Sequence, residues 1–151
     1  MGASHNSQRI DAPVSRVFAQ LLDATSYPEW LVGAQAITHV DERWPSVGAS
    51  FHHRIGAGPL RLPGSTTIVE LVPDKTLVLR AGMGPLGEAE VRFALEPDGA
   101  ATLIEMDERP SRGIVKLTDR VSGPVVPMML WGRNHASMDQ FVELAERPAR
   151  H

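Results

Sequence analysis

MMLWGRNHASMDQF, residues 128–141, keeps helical spacing through a mixture of methionines, tryptophan, an amide and an imidazole. At about 100° per residue, Pro127, Leu130, Trp131, Asn134, Met138, Phe141 and Ala145 share one face of a helix. Arg133, Ala136, Asp139, Gln140, Glu143 and Arg147 share the opposite face. Such a helix needs an apolar surface to lie against. Pro124 and Pro127 confine its start, since proline inside a helix loses a bond and clashes. With Pro148 as a stop, the expected span is about 124–146. Asn134 sits inside the apolar stripe and His135 at its flank. A buried amide without partners costs about 1–3 kcal/mol. Asn134 therefore bonds either a neighbouring strand or loop, as a satisfied core residue, or a ligand that it orients.

The surface for this helix comes from the middle of the chain, where the period changes to two between residues 36 and 109. In GEAEVRFALE, residues 87–96, Ala89, Val91, Phe93 and Leu95 face one way, while Glu88, Glu90, Arg92 and Ala94 face the other. TLVLRAGM sets Leu77, Leu79, Ala81 and Met83 opposite Val78 and Arg80. STTIVELV sets Thr67, Val69 and Leu71 opposite Ile68 and Glu70, with Val69 expected on the inner side. Turn signals separate the strands at 44–48, 56–59, 72–76, 82–87 and 96–100. Strands with one apolar and one polar face imply an antiparallel sheet wet on its outer side.

Upstream, Val14, Val17, Phe18, Leu21 and Leu22 recur at helical spacing after Pro13, and SYPEW, residues 26–30, reads as a second, very short helix or turn. Residues 112–123 fit a loop with a helical turn. The order is strand, helix, short helix, six strands, long helix. It implies an α+β fold in which a seven-stranded curved antiparallel sheet wraps around the C-terminal helix, with two short helices after the first strand.

The chain has 151 residues, a formal charge of −3 and no cysteine, so disulfides and thiol chemistry are out. One domain, 1–147, with a tail at 148–151, accommodates that length. No basic stripe marks a nucleic-acid footprint, and no apolar run approaches the roughly 20 residues of a membrane span. MGASHNSQRIDA lacks the layout of a signal peptide, and the cytoplasm is the expected compartment. The oligomeric state stays open.

IDAPVSRVFAQLLDATSYPEW, residues 10–30, with Val47-Gly48, Val69 to Pro73 and the run from Arg133-Asn134 to Glu146, resembles the START-like superfamily, also called SRPBCC. Within it the chain is most similar to the polyketide cyclase/dehydrase family. The resemblance implies the helix-grip fold and a deep, mostly apolar cavity between the sheet and the last helix. By their facing, Trp30 from the short helix and Phe51, Val69, Leu79, Val91, Phe93 and Met106 from the strands are expected to line it. Met128, Trp131, Asn134 and Met138 are expected to line it from the helix.

Candidate chemistry is sparse. His52 and His53 are adjacent on a strand and point to opposite faces, so they cannot chelate together. A turn symmetric about Ser46 would set His39 across from His53, still two ligands where three or four are usual, so no metal is expected. His53 shares a face with Phe51: with Phe51 inward it is a cavity histidine that could shuttle a proton, and otherwise it is a surface or merely satisfied residue. Glu108 follows Ile104 and Met106 inward to the strand end, where it either pairs in solvent with Arg109 or Arg112 or acts as a buried acid or base. G-x-S-x-G, H-E-x-x-H, G-x-G-x-x-G and P-loop patterns are all missing. Two functions lead: a carrier that binds one hydrophobic small molecule, such as a lipid, isoprenoid or polyketide, without a cofactor; or a cofactor-free polyketide cyclase/dehydratase in which His53, Glu108 and Asn134 move protons and polarise carbonyls; an interaction domain regulated by ligand is a third class.

Overall fold

Alternating strands and glycine-bearing turns build the sheet that the periodicity implies. A computed structural model describes residues 4–31, 34–57, 60–82, 87–112 and 125–147, and within these the side chains at 4, 55–57, 60–62, 110–112 and 125–133 lie outside the description. Strand β1 covers Ser4–Ile10, α1 Val14–Leu22, a single 3₁₀ turn Ala24–Ser26, and α2 Tyr27–Trp30. Then come β2 Ala34–Val40, β3 Ser50–Ala57, β4 Leu60–Val72, β5 Thr76–Gly82, β6 Glu88–Asp98 and β7 Ala101–Arg112. The last helix, α3, spans Val125–Glu146. Most of the 112–123 segment lies outside the described residues, as does Met83.

The sheet runs β1-β7-β6-β5-β4-β3-β2, antiparallel throughout. Strands β2 to β7 form one meander, and β1 returns to pair with β7. Tight turns use backbone that few residues tolerate: Gly99 has φ 63°, and Asp74, of a type that tolerates the left-handed region, has φ 61°.

Helix α1 buries Val17, Phe18 and Leu21 and ends at Asp23. Helix α2 is a single turn whose aromatic rings hold it in place. The Tyr27 hydroxyl donates to the Leu21 carbonyl at 2.6 Å, and Trp30 Nε1 donates to Ser26 Oγ at 3.3 Å. Both polar tips are thus satisfied while the rings are buried. Trp30 stands between Phe93 on β6, at 6.3 Å between ring centroids, and Phe141 on α3, at 5.0 Å.

On α3 the described part of the stripe is as expected: Asn134, Met138, Phe141 and Ala145 are buried, and Asp139, Gln140 and Glu143 are exposed. Ser137 joins the buried face. The helix lies over β1, where Gln8 Nε2 donates to Asp139 Oδ1 at 2.9 Å and the Asp11 N–H donates to Glu146 Oε2 at 2.7 Å.

Two expectations fail for one physical reason, a slip in the strand ladder. Ile68 pairs with Leu79 but Glu70 with Val78, so Val69 is an extra, bulged residue. A bulge sets two residues against one and inverts alternation on one side of it. Ile68 is buried in the core and Val69, at 37% exposed, is not an interior residue; beyond the bulge Leu71 turns inward and packs on the core. Likewise β2 shifts register against β3, so His39 sits across from His52, not His53, and Ile37 takes the place opposite His53.

The bulge makes a direct prediction. Ile68→Ala should cost about 2–5 kcal/mol in denaturant unfolding. Val69→Ala should stay within about 0.5 kcal/mol of the native protein. Equal losses at the two positions would mean that the bulge lies elsewhere.

Candidate functional site

The inner face of the sheet is graded in size. On β6 the inward residues run Phe93, Val91, Ala89; on β5 they run Leu77, Leu79, Ala81; on β4 they run Ile68, Thr66, Gly64. Cross-strand register aligns the β5 and β6 series, with Leu77 opposite Phe93, Leu79 opposite Val91, and Ala81 opposite Ala89. Thr66 lies opposite Ala81 and Ile68 opposite Leu79. One end of the grip is therefore walled by bulky side chains and the other by small ones.

The bulky end is filled by aromatic rings in mutual contact. Tyr27 lies 4.7 Å from Trp30 and 4.9 Å from Phe51, and Trp44 lies 5.0 Å from Phe51. Trp30, Phe51, Phe93, Met106, Met138 and Phe141 belong to one buried cluster. Of the residues expected to line a cavity, Trp30, Phe51, Phe93, Met106 and Met138 thus meet as packed core. Leu79 and Val91 belong to the same buried cluster, one register step towards the alanines. The side chains of Met128 and Trp131 lie outside the described residues.

Polar groups flank the small-residue end. His53, on β3, is 6% exposed, and its ring lies 5.4 Å from that of Phe51. Its Nε2 is 3.4 Å from Thr66 Oγ1. Gly64 lies directly across on β4. A Cβ there would sit 3.1 Å from His53 Cε1 and 3.2 Å from the Gly82 carbonyl oxygen, so a bare backbone makes room for the ring. Burial holds the imidazole below its ordinary value of 6.5; the Arg54 backbone opposes this and His52 adds a smaller lowering. His53 is consequently a neutral ring, with one donor and one acceptor nitrogen.

On the other flank Asn134 and Glu108 meet. Asn134 Nδ2 donates to Glu108 Oε1 at 2.9 Å, with the amide fully buried and the carboxyl 4% exposed. Asn134 thus contacts a strand, and Glu108 is buried. A hydrogen bond between helix and sheet at this depth satisfies two groups that are costly to bury alone. Asn6 on β1, opposite Met106, is also buried on this flank, and Ser137 lies close by along α3. Neither is evident from sequence patterning: β1 alternates between polar residues, and a serine three residues after Asn134 carries no signal of its own.

The outer face is different in kind. His39 and His52 face each other at 6.0 Å between ring centroids, both exposed. A surface cavity of about 570 Å³ is bounded by Thr38, His39, His52, Arg54 and Pro63, with His53 and Gly64 at its wall. A second, of about 290 Å³, lies between His52, Ser65, Gly82 and Glu88. Among the described residues no group of three or more His, Cys, Asp or Glu could hold a metal ion. No helix among them is long and apolar enough to cross a membrane.

A curved antiparallel sheet closed on one long C-terminal helix defines the helix-grip class. The chain belongs to the family described as polyketide cyclase/dehydrase and lipid transport, whose profile matches residues 1–146. No curated protein matches it. Among solved structures it is similar to protein CV1439 from Chromobacterium violaceum, with 18% identity, 97% of this chain and 99% of that one covered, and a TM-score of 0.74. It is similar to the ZhuI aromatase/cyclase from Streptomyces sp. R1128, with 12% identity, coverage of 98% and 95%, and a TM-score of 0.69. DynU16, a putative protein in the dynemicin biosynthetic locus, shares 18% identity over 100% of this chain and 50% of its own, with a TM-score of 0.69. At these identities the likeness concerns the fold.

The Asn134–Glu108 pair can be tested by cycle. Asn134→Leu alone leaves a buried carboxyl short of a donor and should destabilise the fold by about 1–3 kcal/mol. Adding Glu108→Met should recover most of that loss, since an apolar pair of similar shape is close to neutral. Purely additive losses in denaturant midpoints would show that the two side chains do not depend on each other.

Proposed function

We propose that this domain binds one hydrophobic small molecule, of lipid, isoprenoid or polyketide-like character, between the small-residue end of the inner face and α3. The observation that carries the reading is the size gradient on β4, β5 and β6. Side chains of protein interiors pack to near-crystalline density. Neighbouring strands that taper together from Phe93 and Leu77 to Ala89 and Ala81, with β4 stepping from Ile68 to Thr66 beside them, favour a shape completed by something other than the sheet. Apolar walls with a few polar groups are the usual make-up of a small-molecule site.

Catalysis is the second reading, favoured by one specific arrangement. A neutral His53 and a buried Glu108 face inward from opposite flanks. Such a pair could relay protons during cyclisation or dehydration of a poly-β-ketone held between them. The name of the aromatase/cyclase among the similar structures agrees with this reading. Turnover of a poly-β-ketone surrogate that is lost in both His53→Phe and Glu108→Gln would establish it over binding alone.

Filling the tapered end tests the binding site itself. Ala89→Leu should lower affinity for the apolar fluorophore N-phenylnaphthylamine by about tenfold or more, equivalent to about 1.4 kcal/mol. The same change should leave the denaturation midpoint unchanged or raised, because the new side chain enters space reserved for a ligand. Undiminished fluorophore binding, together with the roughly 1–3 kcal/mol penalty of an overpacked core, would remove the site from this end of the grip.

A further inference from the structure

Exposed arginines and histidines of this protein are mostly matched with an acid. Arg9 meets Asp98 at 3.0 Å, Arg43 meets Asp41 at 3.3 Å, Arg92 meets Glu70 at 3.7 Å and His5 meets Asp107 at 2.6 Å. Arg54, His39 and His52 have no carboxylate partner among the described residues. These three border one space on the outer face. His39 stands directly across from His52, with 6.0 Å between ring centroids. Arg54 comes two residues after His52 and projects from the same face of β3, about 7 Å further along. All three are exposed, and all three bound the cavity of about 570 Å³. Thr38, Pro63 and the bare backbone of Gly64 complete its walls, and no Asp or Glu is among the described residues that line it. Asp41, two residues after His39, is taken up by Arg43.

A bulge sets this arrangement up. Ile37 pairs with His53 and His39 with His52, so two steps along β2 match one along β3, and Thr38 is the extra residue. Ile37 packs on the core. Strict alternation from it would turn His39 inward; the extra residue keeps His39 outside, with the exposed Thr38 beside it.

We propose that this outer-face cavity binds a phosphate monoester, independently of the interior site. Arg54 supplies a permanently charged fork that matches phosphate oxygens two at a time. The imidazoles and the Thr38 hydroxyl add donors on the other walls. A phosphate monoester brings close to two negative charges near neutral pH and three terminal oxygens for these groups. A carboxylate brings only two oxygens and one charge. The volume falls within the roughly 300–1,000 Å³ of small-molecule sites, which leaves room for an organic group beyond the phosphate. The formal charge of the chain is −3, so an anion is held here by local donors and not by the overall field. A divalent cation, a common guest of imidazoles, meets two obstacles: two ligands where three or four are usual, and the positive charge of Arg54 on the same wall. A soluble phosphate ester and a lipid headgroup share this chemistry, and the experiment separates them.

The test is NMR titration of the isotope-labelled protein with glycerol 3-phosphate, followed through the imidazole C–H signals of His39 and His52. Both should shift together and saturate. Arg54→Gln should weaken binding by about tenfold or more, the loss expected for a charge-assisted hydrogen bond. His39→Ala and His52→Ala should each weaken it severalfold. Denaturation midpoints should hold in all three variants, because the side chains are exposed. Arg80→Gln removes another exposed arginine of the outer face, one that stands across from Glu90, and should leave affinity unchanged. Arg54-dependent binding to vesicles containing phosphatidic acid, in place of glycerol 3-phosphate, assigns the phosphate to a lipid headgroup. No shift of the two imidazoles with either ligand overturns the site, as does a loss in Arg80→Gln equal to that in Arg54→Gln. Acetate binding as well as glycerol 3-phosphate overturns the phosphate class. Saturable zinc binding at the two histidines without phosphate binding overturns the anion in favour of a cation. None of these outcomes touches the interior site, which the fluorophore reports separately.

Discussion

A carboxyl group taken out of water has to be met by a donor, and in this fold the donor comes from the helix. Glu108 on β7 accepts a hydrogen bond from Asn134 on α3, both of them buried. Hydrophobic burial holds α3 against the sheet but is not directional; a buried hydrogen bond is. It fixes which turn of the helix faces which residue of β7. From that one contact, Met138 and Phe141 follow along the same face, and Phe141 reaches Trp30. The one-turn helix α2 is thereby wedged between sheet and helix, although a helix of that length has no stability of its own.

The wedge divides the interior. Below it, aromatic rings from α2, β3, β6 and α3 touch in sequence and leave a packed core. Above it, the strands present alanines, a threonine and a glycine, and the polar side chains retreat to the two flanks. Bulky and small side chains thus occupy different layers of the same sheet. Gly64 illustrates the second: its missing side chain lets the His53 ring lie close against β4. A protein selected only for a dense core would have little use for so much small and polar character on one inner face.

Much of this was legible in the chain, and the failures have physical causes. The α3 stripe and the alternation along β6 are strong periodic signals, and they place Phe93, Val91, Met138 and Phe141 correctly. Pro13 and the aromatic residues of SYPEW mark the two short helices for reasons of backbone geometry and burial. Val69 was misplaced because a bulge adds a residue without altering the local composition. His39 was paired with the wrong histidine because β2 shifts register against β3. The contact between Glu108 and Asn134 joins residues far apart in the chain, and no local pattern announces such a pair. Asn6 was invisible because polar residues alternate on both faces of β1, and only the covering helix makes one of them interior.

Chemical-shift mapping by NMR, with N-phenylnaphthylamine titrated into the isotope-labelled protein, tests the proposed interior site most directly. The methyl signals of Ala81 and Ala89 should move together and saturate at one equivalent. Shifts confined to His39, His52, Ser65 and Glu88, which border the two outer-face cavities, would contradict an interior site.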